Sequence, residues 1–344
     1  MDYRKQIYCE TAFWKRFRKR YPSALPLTED SIRQYRAWTD VFKFMMRSNI
    51  SFDCPSGDIK ALFIPEDEGV PDQALMTLWK KHSNGEIMMT FDSANQVKLG
   101  DTPISDMKPN DFSAVYLTAN ECRVAKDYGV LNITSDNYVN MSYLFRDNGT
   151  AIGKYKDYSW DFLKQSARHS CNSMIIADNY LFYGDLENNL FPILDALLPD
   201  QLAKGLSFEL SIFAMELDSS HENYRSWADI KKEIGQWFST NRPNLEKRLE
   251  LFNLNNLRVF HDRTIVTNYI WIESGGGFDL FKYDERKGVL KSSKSTTVQI
   301  TYPFIQSEST WPEDAYINNL NDVNFTLKRL NTSSDNRLLI PSRH

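Results

Sequence analysis

Five acids follow the five apolar runs in the first half of the chain: Glu10 after QIYC, Asp53 after ISF, Asp92 after MMTF, Glu121 after VYLTAN and Asp136 after LNITS. In an open α/β sheet, ligands gather outside the carboxyl ends of the strands. Oxygen-rich clusters there hold hard divalent cations, and a bound ion activates water against a phosphodiester with no histidine required. The expected set is Glu10, Asp92, Glu121 and Asp136 as ligands of Mg²⁺ or Mn²⁺, with Glu10, Glu121 and Asp136 as its catalytic members and Asp92 in reserve. The plainer alternative is that such acids are helix caps and loop residues.

Two further groups carry chemistry. AFWKRFRKRYP, residues 12–22, sets Lys15, Arg16, Arg18, Lys19 and Arg20 among Phe13, Trp14, Phe17 and Tyr21. On a helix these aromatics share one face and the cations fan out on the other. The cations are positioned to guide a nucleic-acid backbone toward an acidic site. The competing reading is a core-facing stripe with a solvated basic back. HDRTIVTNYIWIESGGGFD, residues 261–279, supplies His261, the planar fork of Arg263 and the successive glycines Gly275, Gly276 and Gly277. Arginine grips phosphate bidentately, and glycines let backbone N–H groups approach an anion closely. Alternatively, the glycines merely turn a strand and His261 and Asp262 are structural.

The elements that must position these residues alternate between two periods. KQIYC, NISF, EIMMTF, SAVYLT and VLNIT read as strands separated by helical patterns, the mark of a parallel sheet with helical crossovers. TEDSIRQYRAWTDVFKFMMR places Ile32, Tyr35, Phe42, Met45 and Met46 on one helical face with Thr28 as N-cap, and VPDQALMTLWKKH turns Ala74, Leu75, Leu78 and Trp79 inward. A short helix ends at Gly129, a natural left-handed cap. RDNGTAIGKYKDYS reads as a linker, which divides the chain into domains at 1–155 and 156–344. Beyond it, NSMIIADNYLFYG, GLSFELSIFAMEL and LRVFHDRTIVTNYIWIE supply strands, ENNLFPILDALLPD and SWADIKKEIGQWFST supply helices, and the tail LNTSSDNRLLIPSRH is expected to fray.

With 344 residues, 42% apolar and 25% charged, the chain has enough material for two globular cores. A net charge of -4 and a pI of 5.8 exclude a protein that coats nucleic acid by bulk charge. Cys9, Cys54, Cys122 and Cys171 form no C-x-x-C pair, which fits a reducing cytosol. The start, MDYRKQIYCE, lacks the apolar run of a signal peptide, and no stretch has the length of a membrane span, so a cytoplasmic protein is expected.

The 261–279 stretch resembles the phospholipase D pattern H-x-K-x4-D-x6-G-S in register, with Arg263 on the lysine, Asn268 on the aspartate, and Gly275 and Gly276 on the glycine and serine. In that chemistry a histidine attacks phosphorus, and a second histidine from another copy protonates the leaving group. His82, His169, His221 and His344 stand in no second copy, so only a symmetric homodimer supplies the partner. HDR, WI and GGGFD more closely resemble the phospholipase D-like domain found at the C-terminus of MIT proteins. That resemblance covers about residues 165–305 and implies a non-catalytic fold that binds an anionic ligand or partner protein. The three-helix MIT module is not recognisable upstream. AVYLTANECRVAKDYGVLNIT and IYCETAF resemble the PIN ribonuclease domain, with Glu10 for its first aspartate and Asn120–Glu121 for its acidic pair.

Together these readings describe an α/β chain in which a PIN-like parallel-sheet domain precedes a phospholipase D-like domain. The expected function is a metal-dependent ribonuclease acting on RNA, joined to a non-catalytic anion-binding unit. By analogy alone this suggests a bacterial toxin or phage-defence component. The rivals are a non-enzymatic scaffold and a dimeric phospholipase D-type phosphodiesterase.

Overall fold

The computed structural model describes residues 5–20, 28–55, 58–64, 70–91, 114–117, 127–135, 137–139, 148–152, 159–166, 171–221, 224–255, 257, 259–260, 263–292, 296–301 and 312–340. The fold is mixed α/β, with one parallel and one mixed sheet.

The first sheet contains β1 (Gln6–Cys9), β2 (Asn49–Phe52), β3 (Met89–Phe91), β4 (Ala114–Leu117) and β5 (Leu131–Thr134), all parallel, in the order β3-β2-β1-β4-β5. Each expected strand is present. The order reverses between β1 and β4, the switch point outside whose carboxyl ends an open α/β sheet collects its ligands. Helices α1 (Thr11–Arg18), α2 (Glu29–Met45), α3 (Ile59–Phe63) and α4 (Gln73–Ser83) connect β1 to β2 and β2 to β3.

Thr28 caps α2 in a reciprocal box with Ser31. The buried face of α2 is Ala37, Trp38, Val41, Phe44 and Met45, whereas Tyr35 is exposed. Leu75 and Leu78 of α4 are buried, but Trp79 lies on the surface against Phe63 and Phe91. The inward stripe of α2 is rotated from the expected one, whereas α4 keeps Leu75 and Leu78 inward as expected and turns out only Trp79. Aromatic stacking of Phe17 on Trp38 and of Trp38 on Phe42 set the contact line, which periodicity alone did not show.

The second sheet runs β6-β14-β11-β10-β7-β8-β9. Its strands are β6 (Asn148–Ile152), β7 (Ser173–Ala177), β8 (Phe208–Ala214), β9 (Lys247–Asn253), β10 (Arg263–Thr267), β11 (Trp271–Ser274) and β14 (Thr296–Thr301), while β12 (Phe281–Asp284) and β13 (Val289–Ser292) form a separate hairpin. Strands β7, β8 and β9 are parallel, and β10, β11, β14 and β6 continue the sheet antiparallel. Helices α5 (Phe162–Ser166), α6 (Leu190–Leu197), α7 (Trp227–Asn241) and α8 (Pro312–Arg329) complete this part of the chain.

Strands β7 and β8 are buried along their whole length, because both faces of the sheet are covered; this is why SMIIA and FELSIFA read as continuous apolar runs rather than alternating ones. On one face, Ile176, Leu210 and Ile272 join a cluster that extends through Trp160 and Leu163 to Ile7 and Phe52 of the first sheet. The two sheets thus share a continuous apolar cluster. On the other face, Ile175, Phe213 and Val266 meet Tyr316, Leu320, Val323 and Leu327 of α8.

Two expectations are corrected here. The stretch read as a linker contributes β6, whose backbone is paired along β14. The tail expected to fray is docked as far as residue 340. Asn336 is fully buried and donates to the Met174 carbonyl (3.1 Å) and Ser211 Oγ (3.1 Å). Arg337 is fixed through its backbone N and its Nε to Glu209 Oε2 at 2.7 and 3.0 Å. Polar anchors of this kind have no hydrophobic period. Among the described residues no helix is long and apolar enough to cross a membrane.

Candidate functional site

At the carboxyl edge of the first sheet, β1 ends at Cys9 and α1 starts at Thr11, so Glu10 occupies the junction and the N-cap position of α1 without capping it through its side chain. The capping is done by Asp53, which follows β2: its Oδ1 accepts from Thr11 N and Thr11 Oγ1, both at 2.6 Å. Burial, then Asp53, then Glu10 push the Cys9 thiol well above its usual range, so both carboxylates press on this one buried group. Burial, Asp58 and Asp53 raise Cys54 in the same way, with Lys15 and a hydrogen bond from Thr11 opposing. Glu10, Asp53, Asp58 and Lys15 therefore share one neighbourhood at the central strands.

Asp92, Glu121 and Asp136, the other members of the expected metal set, lie outside the described residues. Strands β3 and β5, which precede Asp92 and Asp136, are separated by four strand spacings, or about 19 Å. Glu10 and Asp53 instead leave adjacent strands. Oxygen ligands sit about 2 to 2.6 Å from a divalent ion, so strand order favours a set built around Glu10, Asp53 and the residues that follow β4. Among the described residues no three His, Cys, Asp or Glu side chains converge as a metal site.

The basic stretch divides in two. Phe13, Trp14 and Phe17 are fully buried, and Trp14 Nε1 donates to Asp72 Oδ2 at 2.9 Å. Arg18 turns to the same carboxylate, 3.7 Å away, and Arg20 donates to the Ser135 carbonyl while lying over the Tyr138 ring. Lys15, Arg16 and Lys19 are on the exposed side of this segment.

At the carboxyl edge of β7 in the second sheet lies a second candidate site. β10 runs antiparallel to β7, so its first residue, Arg263, arrives at this edge, and β11 returns there to deliver Ser274 and the glycines. Arg263 Nη1 donates to the Gly275 carbonyl at 2.9 Å, its Nε has no hydrogen-bond partner among the described residues, and its guanidinium faces the Tyr180 ring 5.8 Å away. His261 lies outside the described residues.

The glycine turn is closed from within. Gly277 has φ +88°, a conformation that side chains rarely adopt, and a Cβ there would come within 3.0 Å of Asp178 Oδ2 and 3.1 Å of Asp279 Oδ1. Ser274 Oγ donates to the Gly277 carbonyl at 2.5 Å. Fully buried Asp178 accepts from Phe278 N at 2.7 Å and from Tyr180 N at 2.9 Å. Burial pushes its carboxyl up, the two backbone donors pull it down, nearby Asp279 raises it and Arg263 lowers it. Asn189 fixes the neighbouring loop by donating to the Phe281 carbonyl and accepting from Phe281 N, at 2.9 and 2.8 Å.

Asn268, which stands at the aspartate position of the phospholipase D pattern, lies beyond the far end of β10, about 17 Å of extended chain from Arg263. Its amide is structural: Oδ1 accepts from Asn172 N and Ser173 N at 3.0 and 3.2 Å, and Nδ2 donates to Asn172 Oδ1 at 2.8 Å.

Sequence reasoning passed over Asp178 and Tyr180. Asp178 directly follows an apolar strand, so the strand-end rule used for the first half of the chain would have found it in the second. The chain matches no protein-family model, and comparison with curated proteins returns no relative.

Proposed function

We propose that the chain handles phosphodiesters: a PIN-like first sheet cleaves RNA with a divalent ion, and a phospholipase D-like second sheet holds an anionic group without catalysis. The observation that carries this reading is the parallel order β3-β2-β1-β4-β5, which brings Glu10 out on β1, beside the point where strand order reverses, and Asp53 on the adjacent β2. Hard carboxylate oxygens suit Mg²⁺ or Mn²⁺. In this assignment Glu10 and Asp53 are ligands, with Glu121, which follows β4, as the further acid, and exposed Lys15 meets the RNA backbone. The bound ion would supply an activated water.

The test is cleavage of a labelled single-stranded RNA by the full chain in Mn²⁺. Activity lost with EDTA and in Glu10→Gln supports the reading. Activity that survives EDTA and disappears in His261→Ala would instead indicate a dimeric phospholipase D-type enzyme.

A non-enzymatic binding role is the second reading, and one observation favours it: Asn268, at the aspartate position of the phospholipase D pattern, is committed to Asn172 and Ser173. The Phe278 N–H beside the glycine turn is already taken by the chain's own Asp178 carboxyl. An exogenous phosphate at that turn has Arg263 and the remaining backbone donors to bind, but not this one. Absence of cleavage under every metal condition supports this role.

A further inference from the structure

The hairpin of β12 and β13 begins directly after the glycine turn, and among the described residues its strands pair only with each other. Its base is fixed. Phe281 is buried with its ring edge-on to Trp160 at 5.3 Å and 70°, and its backbone N–H and carbonyl are both bonded to Asn189. Its turn is fixed as well: Lys287 N and Gly288 N donate to the Asp284 carbonyl at 3.1 and 2.8 Å, Gly288 takes φ +64°, and Arg286 N donates to Asp284 Oδ1 at 3.2 Å. Between base and turn the ribbon is bare, with residues 282–289 exposed except for half-buried Asp284.

The charges on this ribbon are not balanced by the described chain. Lys282 and Lys291 face each other directly across the ladder, a placement in which like charges destabilise a sheet. Lys291 is offset by Asp284, whose Oδ2 accepts from its Nζ at 3.1 Å, but Lys282, Arg286 and Lys287 make no ion pair among the described residues. The cations Lys282, Arg286, Lys287 and Lys291 outnumber the acids Asp284 and Glu285, although the chain as a whole has a net charge of -4. We propose that the β12–β13 hairpin is a substrate-holding arm that grips the phosphate backbone of single-stranded RNA with Lys282, Arg286 and Lys287. The inference rests on the reading of the chain as one that cleaves RNA, and it gives that substrate a binding element outside the metal site. A polyanion with charges repeated along its length fits three free cations strung along one ribbon, and each phosphate contact releases condensed counterions. The fixed base and turn leave little backbone to order on binding.

The order of residues at the turn disfavours an anionic bilayer as the partner. Glu285, Arg286, Lys287 and Gly288 would meet the lipid first, with no apolar side chain among them. Tyr283 and Val289, each 50% exposed, stand behind the turn and on opposite faces of the ribbon, so they form no single apolar face to insert.

The test is fluorescence anisotropy with the full chain and a labelled single-stranded RNA 12-mer in EDTA, which stops metal-dependent cleavage of the probe. Polyglutamate and anionic vesicles serve as competitors. The slope of log affinity against log salt should fall by about 0.7 in each of Lys282→Gln, Arg286→Gln and Lys287→Gln, and by about 2 in the triple variant. Over a fourfold rise in salt, the wild type should therefore lose about twentyfold more affinity than the triple variant. Glu285→Gln, which removes a repelling acid from the turn, should bind more tightly, a gain that a merely structural role would not produce. All four side chains are exposed, so an unchanged urea midpoint is expected for every variant and checks that the fold is intact.

No binding by the wild type, an unchanged salt slope in the triple variant, or displacement of the RNA by polyglutamate or vesicles at equal charge concentration overturns the arm. The two readings fail separately. Hairpin-dependent binding without any cleavage in Mn²⁺ removes only the nuclease, whereas cleavage with the same KM in the wild type and the triple variant removes only the arm.

Discussion

Lys5, at the entrance to β1, donates from Nζ to the carbonyl of Asn268 in the β10–β11 turn, 2.9 Å away. The same ammonium donates to the Tyr316 hydroxyl at 2.7 Å, and that hydroxyl donates to the Thr267 carbonyl at 3.1 Å. A lysine only 5% exposed thus ties the first sheet, the second sheet and α8 together.

Replacing Lys5 with methionine keeps most of the side-chain volume but leaves two acceptors without their charged donor. Hydrogen bonds to charged groups are worth about 1.5 to 3 kcal/mol, so urea unfolding should show a loss of that order for Lys5→Met. Tyr316→Phe should lose less, and the double variant should be less destabilised than the sum of the two. Strict additivity would mean that the two groups act independently.

Asp178 makes stability depend on pH in a defined direction. Burial raises its folded pKa above the usual 3.8, so over that window the folded chain holds a proton that the unfolded chain has released. Wild-type stability is therefore fullest below the unfolded value and falls as pH rises through the folded one. Asp178→Asn carries no such proton and loses one of the two backbone hydrogen bonds. The stability gap between the two proteins should be widest in acid and narrow toward neutral pH. Urea midpoints measured from about pH 4 to about pH 8 give the answer, and a constant gap would place the carboxyl outside this role.

Gly129→Ala should be strongly destabilising. Its φ is +66°, and a Cβ would stand 2.6 Å from the Cys171 carbonyl carbon and 2.7 Å from Asn172 N, where only backbone could move. A loss of about 2 kcal/mol or more is expected from chemical unfolding, because strain and overlap add at one position. A change under about 0.5 kcal/mol would show that the close approach is not maintained in solution.

Asn336→Ala should release the tail. The amide donates to Met174 O and Ser211 Oγ while its Oδ1 accepts from Ser173 Oγ at 2.6 Å and Leu338 N at 3.1 Å. Loss of this buried group should cost about 2 to 3 kcal/mol and expose residues 330–340 to limited proteolysis. An unchanged cleavage pattern would mean that Glu209, through Arg337, and Glu250, through Ser334 and Asp335, hold the tail without the Asn336 amide.

The candidate sites were only partly legible beforehand. Strand-end acids could be identified because an apolar run followed by Asp or Glu is a local pattern. Glu10 and Asp53 were legible as acids at strand ends, but not as neighbours. The glycine triplet read as an anion cradle because nothing within residues 261–279 shows that Asp178, a hundred positions away, sits against it.

Residue order alone was sufficient for the alternation of strand and helix, the capping of α2 by Thr28, and the common edge at which parallel strands must end. Each follows from backbone periodicity or from crossover geometry, and both act over short stretches of chain. Strand order, the rotation of α2, the seating of residues 330–340 and the closure of the glycine turn depended on the assembled fold. Those features are contacts between distant segments, selected by how side chains fill a shared core and by which buried polar groups find partners.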